Sequence, residues 1–202
     1  MDDDAPMTPV LMLASASPRR TELLAQLGVP HCVRAADVNE DAVSSEAPRD
    51  YVQRVTAAKA AAGWAFSEGL PVLAADTAVV LGTELFGKPR DQRDGLAMLA
   101  ALSGRTHRVL TAIALQTRAG LTTALSDTQV TFRVIPADEQ LRYWSTGEPL
   151  GKAGGYAVQG FAAAFITRLE GSYTGVMGLP LAETASLLAA AGIPLWQTGA
   201  TA

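Results

Sequence analysis

At 202 residues, 49% of them hydrophobic and 18% charged, the chain is long enough to bury one sizeable core and too apolar to stay disordered. Its net charge of −4 does not provide the basic surface that sequence-independent nucleic-acid binding needs, so no nucleic-acid partner is expected. Cys32 is the only cysteine, which excludes an intrachain disulfide, and no apolar run is long enough to span a bilayer as a helix.

Met1-Asp2-Asp3-Asp4 has the wrong charge for a signal-peptide start, so a cytoplasmic protein with no membrane partner is expected. Residues 1–9 read as a frayed acidic tail, residues 10–196 as one domain, and the stretch from Gln197 as a mobile end. Strands and helices alternate without an internal repeat, which predicts an α/β fold.

Val10–Ala14 is an apolar run of strand length that stops at Ser15-Ala16-Ser17-Pro18-Arg19-Arg20, after which Leu23, Leu24 and Leu27 recur at helical spacing. Ser17 suits the N-cap, and Pro18 suits the first helical position because it lacks the N–H that would be unpaired there. Free backbone N–H groups, two serine hydroxyls and two guanidinium groups would then converge beyond the strand, which is a setting for phosphate. A capped helix with two solvated arginines has the same sequence.

Val29–Ala36 is expected to form a second strand before the acidic stretch Asp37–Asp41. Glu40 there is a candidate metal ligand, because carboxylates beside bound phosphates commonly hold Mg²⁺, although acidic loops are usually only solvated. Pro48 opens a long helix whose buried stripe is predicted at Val52, Val55 and Ala62, with Lys59 in the same stripe. That lysine either lays its stem along apolar surface or points into a pocket.

Pro71–Gly82 is the most apolar strand signal, with Asp76 in its middle. An unpaired carboxylate inside such a run is costly, so either the strand breaks there or Asp76 faces a cation or a wet cleft. Gly87-Lys88-Pro89 puts a lysine in the following turn. Asp91–Leu102 reads as a core helix, and Val109–Gln116 with Leu121–Val134 as an antiparallel pair, with His107 at its entrance in a structural role. A short helix over Asp138–Gly147 precedes the glycine-dense stretch Gly151–Gly160, which carries Lys152 and Gln159 and matches neither a Walker A loop nor GxGxxG. Ala162–Leu169 is predicted as a strand, Gly171–Gly175 as a loop, and Leu179–Ala191 as a last helix.

In this order, Ser15-Ala-Ser-Pro-Arg-Arg20, Glu40 with Glu46 and Lys59, Ala75-Asp76-Thr77, Gly87-Lys88-Pro89, Ser103-Gly104-x-Thr106-His107, Lys152-Ala-Gly-x-Tyr156-x-x-Gln159-Gly160 and Gly171-Ser172-Tyr173 through Gly178-Leu179-Pro180-Leu181 resemble the Maf nucleoside triphosphate pyrophosphatases, from about Leu11 to Ile193. The resemblance implies hydrolysis of a nucleoside triphosphate between its α and β phosphates, aided by a divalent cation such as Mg²⁺ or Mn²⁺. It also implies a two-lobed α/β fold around a mixed, strongly curved central sheet, a nucleotide cleft between the lobes and, commonly, a homodimer.

Arg19, Thr77 and Gln159 match the branch of that family acting on dTTP and UTP, and depart from the tryptophan, glutamine and glutamate typical of the branch acting on 7-methyl-GTP. A glutamine amide can both donate and accept, as uracil's N3–H and flanking carbonyls require, whereas a glutamate only accepts. The resemblance further implies Asp76 as proton acceptor or metal ligand, Glu40 as metal ligand, Lys88 in catalysis, and Ser15, Arg20, Lys59 and Lys152 as phosphate-binding groups. Two departures are Asn39, where relatives often carry an acid, and Phe161-Ala-Ala-Ala-Phe165, where they are richer in glycine. Two alternatives stay open at this point: a nucleotide-binding regulator linked to cell division, and a preference for modified pyrimidine triphosphates.

Overall fold

Leu11, Met12 and Leu13 form a short strand, β1 (Leu11–Leu13), that is all but inaccessible to water on both faces. A continuous apolar run is what an internal parallel strand needs. It pairs in parallel with β2 (His31–Val33) on one side and with β3 (Val72–Leu81) on the other. The computed structural model describes residues 8–197; most of the expected acidic tail, residues 1–7, lies outside the described residues, as do residues 198–202.

Beyond β3 the sheet turns antiparallel, through β5 (Thr106–Thr117), β6 (Gly120–Phe132) and β7 (Ile166–Glu170), while the short β4 (Glu84–Phe86) pairs with the end of β3. The order is β2-β1-β3-β5-β6-β7, a mixed seven-stranded sheet among the described residues. The expected strong curvature is absent. Bulges are what curl a sheet, and the ladders of β3 with β5 and of β5 with β6 run without a break, the one register shift lying at Thr131/Phe132 near the edge.

Helix α1 (Pro18–Gln26) links β1 to β2, and α2 (Pro48–Trp64) links β2 to β3. The buried stripe of α2 runs through Val52, Val55, Thr56, Lys59, Ala60 and Gly63, whereas Ala62, predicted to lie in it, is only half-buried. Gly63 lets this helix lie close on the sheet: a Cβ there would come within 2.9 Å of Val72 and 3.1 Å of Ala14. Small residues facing it, Ala74, Ala112 and Ala114, are fully or almost fully buried and serve the same approach.

The opposite face of the sheet carries two apolar clusters. One gathers Leu11, Leu13, Leu73, Ala75, Ile113 and Leu115 with Leu23 and Leu24 of α1 and Leu188 of α6 (Leu181–Ala190). The other gathers Val79, Val109, Val130 and Phe132 with Leu99 and Leu102 of α3 (Gln92–Leu102) and Tyr143 of α4 (Ala137–Ser145). Along β3 the residues on this face are therefore Leu73 and Ala75 in the first cluster and Val79 in the second, with Thr77 between them.

Two local expectations need correction. Phe161–Phe165 is a 3-10 turn, so β7 starts only at Ile166; the N–H groups of Phe161 and Ala162 go to the Glu148 carboxylate, at 2.7 and 3.1 Å, and not to a ladder. Residues 171–175 are not all loop, because Ser172 caps a short helix, α5 (Tyr173–Met177), by accepting from the Gly175 N–H at 2.9 Å. Of the end expected to be mobile from Gln197, only Gln197 lies among the described residues, and its backbone N–H donates to Gly28 O at 2.9 Å.

Candidate active site

Strand β3 is left half-paired in its middle. Strand β1 pairs with β3 only as far as Leu73, and pairing with β4 begins at Val79, so residues 74–78 have β5 along one edge and no described strand along the other. Because side chains alternate across a strand, the gap receives Asp76 from the face under α2 and Thr77 from the opposite face. A cleft of about 350 Å³ opens there, beyond the carboxyl end of β1, as ligand sites of α/β sheets do.

Asp76 does not break β3, which continues in register with Ala112 opposite it. Its Oδ1 meets Lys59 Nζ at 2.7 Å, and the same ammonium lies 2.7 Å from Glu40 Oε1. Lys59 and Asp76 are each 8% exposed, so this charge is compensated within the protein. The stripe position of Lys59 thus aims it through the helix–sheet contact into the cleft. Burial works to raise the Glu40 carboxyl, but Lys59, helped by Lys88 and Arg20, outweighs it and holds the acid below its usual range.

Opposite the acids stands the turn after β1. Ser15 Oγ accepts from the Ser17 N–H and from Arg20 Nη1, both at 3.2 Å. Ser17 occupies the N-cap of α1, yet its hydroxyl makes no capping bond and lines the cleft. Arg20 also donates Nε to Gly178 O at 2.8 Å and Nη2 to Thr77 Oγ1 at 3.4 Å, leaving two of its five N–H groups for a ligand. Burial lowers its pKa, with Arg19 adding to that and Asp76 and Glu40 opposing it.

The segment after α5 makes the seat for Arg20. Gly178, at φ 121°, closes the short helix and presents its carbonyl, and Thr111 Oγ1 holds the Gly175 carbonyl at 2.7 Å. Thr111 also shares a 3.0 Å hydrogen bond with Thr77, so the Thr77 hydroxyl is already engaged on two sides.

The far wall comes from the glycine-dense stretch. Gly154 and Gly155 both sit at φ 68°, in the left-handed region. Lys152 Nζ donates to Glu148 O at 2.6 Å; burial and the neighbouring Arg19 lower its pKa, while Glu148 raises it. Lys88 and Gln159 are exposed and line the same cleft.

The cleft thus brings together Ser15, Arg19, Arg20, Glu40, Lys59, Asp76, Thr77, Lys88, Lys152 and Gln159, the ten residues given a catalytic or binding role from the sequence. His107 stays behind the wall, 2% exposed, with Nε2 2.8 Å from Tyr156 Oη, and burial lowers its pKa to about 4. Glu148 and Thr111, which support the site from behind, were not singled out, and Gly178 was named only as part of a motif, without a role.

A family profile described as "Maf-like protein" matches residues 10–191. The chain belongs to the Maf family. Among its Maf relatives is a protein of Cupriavidus metallidurans named dTTP/UTP pyrophosphatase, 55% identical, the match covering 93% of this chain and 99% of that one. A protein of the same name from Saccharophagus degradans is 52% identical, covering 93% and 91%. Among solved structures, the Staphylococcus aureus Ham1 protein covers 60% of this chain and 71% of its own, with a TM-score of 0.41 and 12% identity.

Among the described residues, no three His, Cys, Asp or Glu side chains cluster as a metal cage. Asp76 and Glu40 nonetheless suit a hard divalent cation: each has one oxygen on Lys59, and no described donor engages the other. Two carboxylates completed by substrate phosphate oxygens are an ordinary Mg²⁺ arrangement.

Proposed function

We propose that this Maf-family chain hydrolyses dTTP and UTP to the nucleoside monophosphate and pyrophosphate. The observation that carries the reading is the facing arrangement in one cleft: the acid pair Asp76 and Glu40 on one side, Arg20, Lys88 and Lys152 on the others. A phosphate-binding site alone needs the cations and has no use for two acids turned toward them. The activity named for relatives more than half identical supports the same reading.

Water attacks the α phosphorus, the new bond forming from its oxygen, while the bond from that phosphorus to the bridging α–β oxygen breaks. Asp76 takes the proton of the attacking water on the oxygen that Lys59 leaves open. Lys59 fixes the orientation of Asp76 throughout. Pyrophosphate departs with the bridging oxygen, its growing charge met by Arg20, Lys88 and Lys152; such fixed positive groups supply most of the rate in phosphoryl transfer. Glu40, through the oxygen that Lys59 leaves open and together with substrate phosphate oxygens, would hold a divalent cation, which when bound offsets triphosphate charge and makes a coordinated water more acidic.

Gln159, at the open rim, reads the base through an amide that can donate and accept together. Thr77 has no proton for a base carbonyl, since its hydroxyl donates to Thr111, whose own proton is on the Gly175 carbonyl, and it accepts from Arg20; we assign it to holding Arg20 in place. A panel of nucleoside triphosphates with Mg²⁺ or Mn²⁺, assayed separately for pyrophosphate and orthophosphate, tests the proposal. Pyrophosphate from dTTP and UTP is expected, and orthophosphate release in its place would identify a different phosphohydrolase.

A further inference from the structure

Gln159 is exposed, and no hydrogen bond among the described residues holds its side chain. Its place is therefore inherited from the backbone on either side. Before it, Val158 is buried at 5% exposure. After it comes Gly160, and the group packed against Gly160 is the carboxylate of Glu148: a Cβ built on Gly160 would lie 2.0 Å from Oε2.

That carboxylate is itself held at every turn. Oε1 accepts from the Tyr143 hydroxyl at 2.8 Å and from the Ala162 N–H at 3.1 Å, and Oε2 accepts from the Phe161 N–H at 2.7 Å. Tyr143 is 4% exposed in the cluster under α3 and α4, so it ties Glu148 to the rigid part of the molecule. No ion pair to an arginine or lysine is formed by this carboxylate among the described residues. Its donors are a phenol and two backbone N–H groups of the turn that follows Gln159. The same residue's main-chain carbonyl holds Lys152.

We propose that Glu148 is the positioning residue for base selection. Its carboxylate clamps Gly160-Phe161-Ala162 and so decides where the Gln159 amide stands, while its backbone carbonyl, independent of side-chain identity, holds Lys152. The proposal rests on the reading of this cleft as a pyrimidine triphosphate site. It separates two things that a collapse of the loop would move together. Glu148→Gln or Glu148→Ala removes the clamp on the base-reading residue and leaves the carbonyl that holds the lysine. Gly160→Ala attacks the same contact from the other side, its Cβ pressing on the carboxylate while Glu148 itself is unchanged.

The test measures binding of non-hydrolysable UTP and CTP analogues, and of inorganic pyrophosphate, to the full chain and to Glu148→Gln, Glu148→Ala and Gly160→Ala, with thermal unfolding as the check on folding. The preference for UTP over CTP should fall about fivefold in Glu148→Ala and Gly160→Ala, the order expected of one misplaced hydrogen bond, and by less in Glu148→Gln. Pyrophosphate affinity should stay within about twofold, below the loss expected of one hydrogen bond. An unchanged preference in the variants overturns the role of Glu148 alone. Preference and pyrophosphate affinity falling together would make Glu148 a merely structural residue and also overturn it. A wild-type chain with no preference for UTP over CTP would remove the reading of the base as uracil or thymine, and this proposal with it.

Discussion

Lys59 and Asp76, seventeen residues apart in the chain, meet at 2.7 Å between Nζ and Oδ1, and the same ammonium holds Glu40 at 2.7 Å. One cation thus stands between the two acids. Replacing it by methionine keeps the apolar stem and leaves two carboxylates facing each other. Lys59→Met should lose about 3 kcal/mol of stability in urea unfolding, the usual cost of stranding a buried charge. Added Mg²⁺ should raise the melting temperature of the variant more than that of the wild type, because the cation takes the place of the ammonium.

Base selection is assigned to Gln159. Gln159→Glu replaces the amide donor by a second acceptor facing uracil's carbonyls, and should lower kcat/KM for dTTP and UTP about tenfold or more. Steady-state kinetics on the two substrates check this, and unchanged values would take Gln159 out of base recognition.

His107 gives the fold an acid sensitivity of its own. Its folded pKa of about 4 lies below the ordinary histidine value near 6.5, so between those values the unfolded chain binds the proton and the folded chain does not. The stability tied to neutral His107 is complete above about pH 6.5 and is lost as pH falls toward 4. With full burial this amounts to about 3 kcal/mol. Urea midpoints between pH 4.5 and 7.5 should therefore fall less steeply in His107→Gln than in the wild type.

Gly95 probes the scaffold apart from the chemistry. A Cβ on it would lie 2.1 Å from the ring of Trp144, between α3 and α4 and away from the cleft. Gly95→Ala should cost about 1–3 kcal/mol by overpacking. Denaturant unfolding gives the loss, and kcat/KM measured well below the melting temperature should be unchanged.

How far the chain could be read in advance depended on how local the cause was. The turn from β1 into α1 was legible because Pro18 and the leucine spacing act within a few residues, although the Ser17 hydroxyl at the N-cap makes no capping bond. Asp76 stood out because a carboxylate in an apolar strand demands a partner. That the partner is Lys59 depends on α2 lying close on β3 through Gly63, which no local pattern expresses. The strand predicted from Ala162 failed for the same reason. Its composition suits a strand, but Glu148, fourteen residues before Ala162, claims its N–H. The short helix α5 was missed because five residues are too few to show a period.

The central claim is tested most directly by Asp76→Asn, which preserves the shape of the site and removes the proton acceptor. Phosphorus NMR of UTP with Mg²⁺ should show UMP and pyrophosphate with the wild-type chain. With the folded variant, formation of both products should be slower by about 10²–10⁴-fold. Wild-type rates from Asp76→Asn, or UDP and orthophosphate from the wild type, would contradict the account.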